Sequence, residues 1–377
     1  VIRDEAEAAL EPAAPGEHSR LLFAARPWAE VNWLGLFSLL VVLLVLPWGL
    51  SLIDGGNYVM HLIITFFIYG IVAQCWNLIM GVSGIYSFGQ LALYAVGAFT
   101  TATLSQSFGV NPWLSIWAAP IAAVIAAVLI GLPTLRLRGI YVVLLTLAFH
   151  ELARNFITTG PKIISGGGYG LLFVPKLGFD TLLGPEYEIV FYYYLALAFF
   201  LIASFAIWRL LHSPVGIALT ALRDSEEYAV SRGVDPFRFK LLLFVFSAFF
   251  TGLAGGFTAH YLGAASTSLF DFGIMANLLA MIVLGGWGTF WGPIAGTAIL
   301  TFLTEFLRAF DAYRNLSLGL AMALIAVLAP QGLAPLLARG FHALFGVFAE
   351  ADEGEESAEA EAAAEEAAPT EAKTPSG

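Results

Sequence analysis

The strongest constraint on this chain is a succession of apolar runs, each long enough to cross a bilayer. A helix needs about 20 apolar residues to span the hydrocarbon core. Runs of that kind, bounded by charge, proline or glycine clusters, occur at about 33–53, 58–80, 88–106, 112–132, 140–157, 188–208, 241–262, 272–286, 291–309 and 316–337. Ten spans fit best. The run at 272–286 is short and leads into LGGWGTFWGP, so a half-helix or re-entrant segment accounts for it equally well, with Gly285, Gly286, Gly288, Gly292 and Pro293 as the break. The expected fold is therefore all-α, a polytopic membrane bundle of about 8–10 transmembrane helices. Only 12% of the residues are charged and 59% are hydrophobic, against about 25% charged in a soluble domain. That balance excludes a soluble enzyme and a nucleic-acid binder.

The formal charge of −11 is unevenly spread. Residues 1–26 hold five acids and three bases, 350–377 hold ten acids and Lys373, and the apolar middle carries thirteen of each. The chain thus divides into a polar N-terminal arm at 1–30, a neutral transmembrane domain at 31–340 and an acidic tail at 350–377. The tail, built of Ala, Glu, Gly, Pro, Ser and Thr with a single Asp and a single Lys, lacks the apolar area to offset its ordering entropy and is expected to be disordered. The arm has no basic segment followed by an apolar stretch, so no signal peptide is expected and the first apolar run serves as an anchor. A lone cysteine, Cys75, lies in an apolar run and is expected to be buried and inert.

Orientation follows from Lys and Arg, which concentrate in cytoplasmic loops. With ten spans and the N-terminus inside, twelve of these residues fall on inner segments and five on the outer side, which places both termini in the cytoplasm. Two loops exceed a short turn. The loop at about 158–187 is expected outside and that at about 209–240 inside. Within the inner loop, Ser213–Pro214 marks a helix start and Gly233 a helix stop, with Pro236 just beyond. The residues between read as short amphipathic helices on the membrane surface.

Motifs for chemistry are missing. The sequence holds no GxxxxGK[ST] phosphate loop, no HExxH and no GxSxG elbow, and its six histidines and one cysteine form no metal-ligand spacing. No catalytic residue, metal or resident cofactor is expected. Small and polar residues inside the apolar runs remain. Gly81, Gly84, Gly89 and Gly97 permit close helix packing, which is the plainer reading. The alternative is that Gly81 to Gln90 interrupts a helix and that Ser83, Ser87 and Gln90 line a polar path, since irregular backbone is tolerated at membrane depth only beside protein or water. His150, Glu151 and Arg154 near the outer end of the fifth run, and Glu305 with Arg308, read mainly as structural polar groups. His61 and His260 read as interfacial.

Five blocks in order resemble the LivM-type permeases of ATP-binding cassette importers for branched-chain amino acids. They are NLIMGVSGIYSFGQLALYAVGAFTTATL at 77–104, LPTLRLRGIYVVLLTLAFHELAR at 132–154, ISGGGYGL at 164–171, the 213–256 block, and MIVLGGWGTFWGPIAGTAIL at 281–300. The 213–256 block is similar to the importer signature in which an EAA-then-Gly pattern forms a coupling helix: Glu227, Ala229 and Gly233 match, and Tyr228 stands where the pattern has Ala. The resemblance implies coupling to an ATPase through Glu227, Ala229 and Gly233; independently of it, a short charged helix on the inner face offers Arg223, Glu226 and Glu227 for polar contacts with a soluble motor, and by position Ser83, Ser87, Gln90 and Thr146 are expected along the pathway. The resemblance further implies a prokaryotic inner-membrane location, a second homologous permease subunit, two ATPase subunits carrying ATP and Mg, and an extracytoplasmic substrate-binding protein. Import of branched-chain or other hydrophobic amino acids is the leading function, with a urea or short-chain amide permease the close alternative. An ion-coupled secondary transporter would instead show midplane charges and broken helices in repeated halves.

Overall fold

The computed structural model describes residues 33–51, 55–167, 170–178, 184, 187–307 and 319. The N-terminal arm, the run at 316–337 apart from residue 319, Arg308 and the acidic tail lie outside these residues. The described chain is helical, and the helices follow the apolar runs closely. Helix α1 covers Trp33–Ser51, α2 Gly56–Asn77, α3 Gln90–Ser107, α4 Pro112–Thr134 and α5 Ile140–Thr159. After the short α6 (Lys162–Ser165) come α7 (Glu188–Leu211), the surface pair α8 (Pro214–Asp224) and α9 (Glu226–Ser231), then α10 (Pro236–Leu262), α11 (Phe272–Gly285) and α12 (Trp291–Phe306). The helices at 56–82, 112–134, 140–159, 188–211 and 236–262 are long and apolar enough to cross a membrane.

Local chemistry sets the boundaries. Asn111 accepts a hydrogen bond from Trp113 N, with Pro112 at the first helical position of α4. Asp235 accepts from Phe237 N and Arg238 N, with Pro236 opening α10. In each case a side-chain oxygen satisfies an amide that the first turn leaves open, and proline removes another. Gly263, at φ +65°, ends α10.

Helix α10 is the centre of one half of the bundle and packs on α3 and α4. Its approach to α3 requires glycine: a Cβ on Gly255 would lie 2.0 Å from the Tyr94 carbonyl oxygen, and one on Gly97 2.4 Å from the Gly252 carbonyl oxygen. Backbones in contact gain dispersion that side chains would forbid, the usual basis of packing between apolar helices. The other half groups α2 with α7 and α12, with α1 alongside. There the rings of Phe66, Phe67, Tyr193 and Phe200 interlock at centroid distances of 5.3–5.6 Å. Helices α11 and α12 form a tight hairpin, the break anticipated at 285–293. A Cβ on Gly285 would fall 1.8 Å from the Gly292 carbonyl oxygen.

The loop expected outside closes over one end of the bundle. A two-residue antiparallel ladder pairs Leu171 with Ala265 and Leu172 with Ala264. His260, near the end of α10, is fully buried in the protein, with Nε2 3.0 Å from Ser115 Oγ and Nδ1 2.6 Å from the Pro175 carbonyl oxygen. The fold of 170–178 over the end of α10 covers a ring that the sequence places at a boundary. His61 pairs with the Tyr261 hydroxyl. Helix α5 buries a single face, Val142, Thr146, His150, Ala153 and Ile157, and exposes the other.

Candidate functional site

The site is built around the interruption between α2 and α3. Helix α2 does not end cleanly at Asn77 but widens into a π turn, Leu78–Val82, before the chain runs irregularly from Ser83 to Gly89. Single π turns are uncommon and gather at functional positions. The turn is fixed by glycine: a Cβ on Gly81 would sit 2.6 Å from Gly288 N, so the interruption and the α11–α12 turn meet backbone to backbone. Asn77 clamps that junction, with its Oδ1 accepting from Gly288 N at 2.9 Å and its Nδ2 donating to the Thr289 carbonyl at 2.9 Å. A small cavity lined by Gln74, Asn77, Leu78, Val82, Thr289 and Pro293 abuts the turn.

Buried side chains lace the irregular segment to three helices. Trp76 Nε1 donates to the Ser87 carbonyl at 2.7 Å, and Phe88 N donates to Thr146 Oγ1 of α5 at 3.0 Å. Gln90 Nε2 donates to Ser247 Oγ at 2.8 Å and also to Thr251 Oγ1 of α10, while Ser247 Oγ donates to the Cys75 carbonyl at 3.0 Å. Ser83 Oγ bonds the Ile79 carbonyl at 2.7 Å, and Ser87 Oγ accepts from Gly89 N at 3.4 Å. Ser83, Ser87, Gln90 and Thr146 thus lie on or beside the irregular segment. All four are buried against this chain's own groups. The hydroxyls of Ser83, Ser87 and Thr146 bond backbone groups at the break, which unpaired in an apolar medium would cost several kcal/mol each, while Gln90 ties the segment to side chains of α10.

Helices α8 and α9 lie against this junction. Ser225 separates them and caps α9 by accepting from Tyr228 N. At the far end of α9, Gly233 takes φ +86°, Gly233 N donates to the Val230 carbonyl at 2.9 Å, and Val234 N to the Ala229 carbonyl at 3.1 Å. That pair of bonds is a Schellman ending, and it explains why glycine follows the helix. Ala229 is buried, so the helix rests on its small residue. Glu226 is tied down by Lys240 Nζ at 2.8 Å and Arg138 Nη2 at 3.4 Å. The Lys240 hydrogen bond is the main reason its carboxyl is held below the usual carboxylate range, with burial opposing and the charges of Lys240 and Arg138 assisting. Arg223 turns inward, with Nη1 3.0 Å from the Gly81 carbonyl and Nε and Nη2 on Asp224 Oδ1 at 3.1 and 2.9 Å.

The outward edge of the pair carries Glu227, Tyr228 and Val230, all exposed. Arg232 packs its guanidinium over the Tyr228 ring, 5.3 Å from the centroid, and bonds its hydroxyl at 3.0 Å. Of the five coupling residues expected from the sequence, Glu227 faces solvent, Ala229 and Gly233 shape the helix, and Arg223 and Glu226 anchor it. Sequence reasoning missed Asn77, although an amide in an apolar run was a legible signal. It also missed the tie from Arg223 to Gly81, 142 positions apart, which no local pattern encodes. Among the described residues no cluster of His, Cys, Asp or Glu could hold a metal ion. Glu151 and Arg154 form an exposed pair at 3.9 Å on α5.

Residues 58–329 match the family described as branched-chain amino acid transport system, permease component. The chain is 34% identical over 322 residues, 80% of its length and 75% of the relative's, to the high-affinity branched-chain amino acid transport system permease protein LivM of Escherichia coli (strain K12). It is 24% identical over 306 residues, 76% of its length and 83% of the relative's, to a probable branched-chain amino acid transport permease protein LivM of Methanocaldococcus jannaschii. It is also 25% identical over 220 residues, 54% of its length and 68% of the relative's, to the guanosine ABC transporter permease protein NupQ of Bacillus subtilis (strain 168). No solved structure is significantly similar to the chain.

Proposed function

As the chain belongs to the branched-chain amino acid transport permease family, we propose that it is the pore subunit through which an ATP-driven importer moves branched-chain amino acids inward, coupled to its motor through α8 and α9. The family membership and the apolar helices make it a multi-pass inner-membrane permease. The finer assignments, to substrate, subunits and contact residues, are our reading. Hydrolysis of ATP with Mg belongs to two partner ATPases, a second permease completes the pore, and an extracytoplasmic binding protein delivers the amino acid. The termini and the 209–240 loop are cytoplasmic, as the balance of Lys and Arg supports.

The observation that carries the coupling reading is the construction of the α8–α9 pair. One edge, Glu227 with Tyr228 and Val230, is open for a soluble partner, and the opposite side is fastened to Lys240, Arg138 and the π turn. A lever of this kind needs a free face and a rigid attachment. Substrate passes near the interruption at 83–90, where Ser83, Ser87, Gln90 and Thr146 hold the irregular backbone in shape.

The test uses the complete importer, purified from membranes and reconstituted. Glu227→Ala and Gly233→Val should insert normally, lose most co-purifying ATPase and lose leucine uptake. Full retention of both would remove the coupling role. Competition of leucine uptake by isoleucine, valine, guanosine and urea reads the substrate class, and guanosine is included because one relative bears that name. Inhibition by guanosine or urea and none by isoleucine and valine would overturn the amino-acid reading.

A further inference from the structure

We propose that Arg223 is a positioning residue that locks the α8–α9 pair to both helix breaks, so that displacement of the pair reaches the π turn of α2 and the α11–α12 turn together. This rests on the coupling role of α8–α9 and adds the route by which that pair acts on the membrane domain.

The π turn ends at Val82, and the Gly81 carbonyl has no following helical amide to accept from. Ile85 N, which would serve it in a continued α-helix, bonds the Ile79 carbonyl at 3.2 Å instead. Arg223 Nη1 supplies the donor at 3.0 Å. A charged donor on an orphaned carbonyl is stronger than a neutral bond and is missed more when removed. The rest of the fork is immobilised, with Nε and Nη2 both on Asp224, so the guanidinium moves with α8 rather than swinging freely. The stem of the side chain is held too. At Gly84, where φ is +69°, a Cβ would meet Arg223 Cγ at 2.9 Å, so the irregular segment folds directly over the methylenes.

The same guanidinium reaches the second break. A Cβ at Gly288 would lie 3.7 Å from Arg223 Nη1 and 3.2 Å from the Gly81 carbonyl oxygen, and Gly81 itself packs on Gly288 N. Asn77 completes the knot by holding Gly288 N and the Thr289 carbonyl. Three segments remote in sequence therefore converge on one cation that is only 21% exposed. Such a junction transmits because neither break has a side-chain layer between it and its neighbour: Gly81 touches Gly288 directly, and Arg223 fills the remaining corner.

The variants separate this role from docking. Arg223→Met keeps the stem that packs on Gly84 and deletes the donor, whereas Arg223→Lys keeps a cationic donor. In the reconstituted importer, Arg223→Met should retain its ATPase subunits while leucine moved per ATP falls about tenfold, the scale of one lost charge-assisted bond. Arg223→Lys should recover part of that ratio. Unchanged coupling in Arg223→Met, or loss of the bound ATPase subunits, would overturn the proposal, the latter by making Arg223 a docking residue. A second readout is independent of substrate. Ser83→Cys, at a side chain buried in the wild type, should react several-fold faster with an aqueous maleimide in the Arg223→Met background and at a rate nearer the original with Arg223→Lys; buried Cys75 gives a silent background. If the wild type moves no leucine, the substrate reading fails while the labelling rates still decide the junction, and equal rates in all three proteins would refute it.

Discussion

Glu226 shows how one residue serves structure while looking like a surface charge. Its carboxyl is pinned by Lys240 at 2.8 Å and approached by Arg138 at 3.4 Å, and the Lys240 hydrogen bond lowers its pKa from the ordinary 4.5. A depressed carboxyl binds its proton less readily folded than unfolded, so its stabilisation is complete above the unfolded value and fades as pH falls through the folded one. The melting temperatures of wild type and Glu226→Gln should therefore differ by a constant amount from about pH 8 to about pH 5.5, and the gap should close below about pH 4.5. A gap that widens on acidification would show that Lys240 is not the dominant partner. Partial exposure of the pair keeps the whole effect modest. Arg138 contributes less, because its side chain is 88% exposed.

Among elements, α9 is the clearest case of sequence and structure agreeing for a reason. Six residues are too few to hold a helix in water by propensity, yet Ser225 caps its start and the Gly233 motif closes its end. Nothing lies within 4 Å of a Cβ on Gly233, so replacing it costs backbone conformation rather than space. Asn tolerates the left-handed region better than a β-branched residue. Gly233→Asn should accordingly keep most ATPase co-purification while Gly233→Val loses it, as read from the ratio of subunits after affinity purification. Equal loss in both would mean that glycine is needed for close approach of a partner and not for its φ. Helix α5 is the contrasting element. Its exposed face carries Tyr141, Leu144, Leu152 and Phe156, an apolar surface suited to lipid or to the second permease subunit proposed above.

At the scale of the molecule, two helix groups meet at a junction of interrupted helices, and the surface pair α8–α9 is fastened to that junction. The acidic tail, by its sequence, offers charge without apolar area. Deleting 350–377 should leave leucine uptake and ATPase binding unchanged; complete loss of uptake would give the tail a role in transport. The fastening also bears on the proposed choice between transport classes: a secondary transporter needs no attachment for an external lever, whereas the pair proposed as one is held by ion pairs and a contact to the Gly81 carbonyl.

The sequence by itself determined the class: runs of about 20 apolar residues admit little but membrane helices, because an unpaired amide in hydrocarbon is too costly. It also placed a helix start at Ser213–Pro214 and a stop at Gly233, since such signals act on their own neighbours, and it located the break at 81–90 from its glycines. What it did not contain was which distant groups would satisfy that break. Thr146 receiving the Phe88 amide, Gln90 reaching Ser247, Asn77 clamping Gly288 and Arg223 closing on Gly81 each join residues from 58 to 211 positions apart. His260 shows the same limit, because its burial depends on a loop that folds over it. A hydrogen bond requires two groups at a fixed distance and angle, and only the packed helices bring remote residues to that distance.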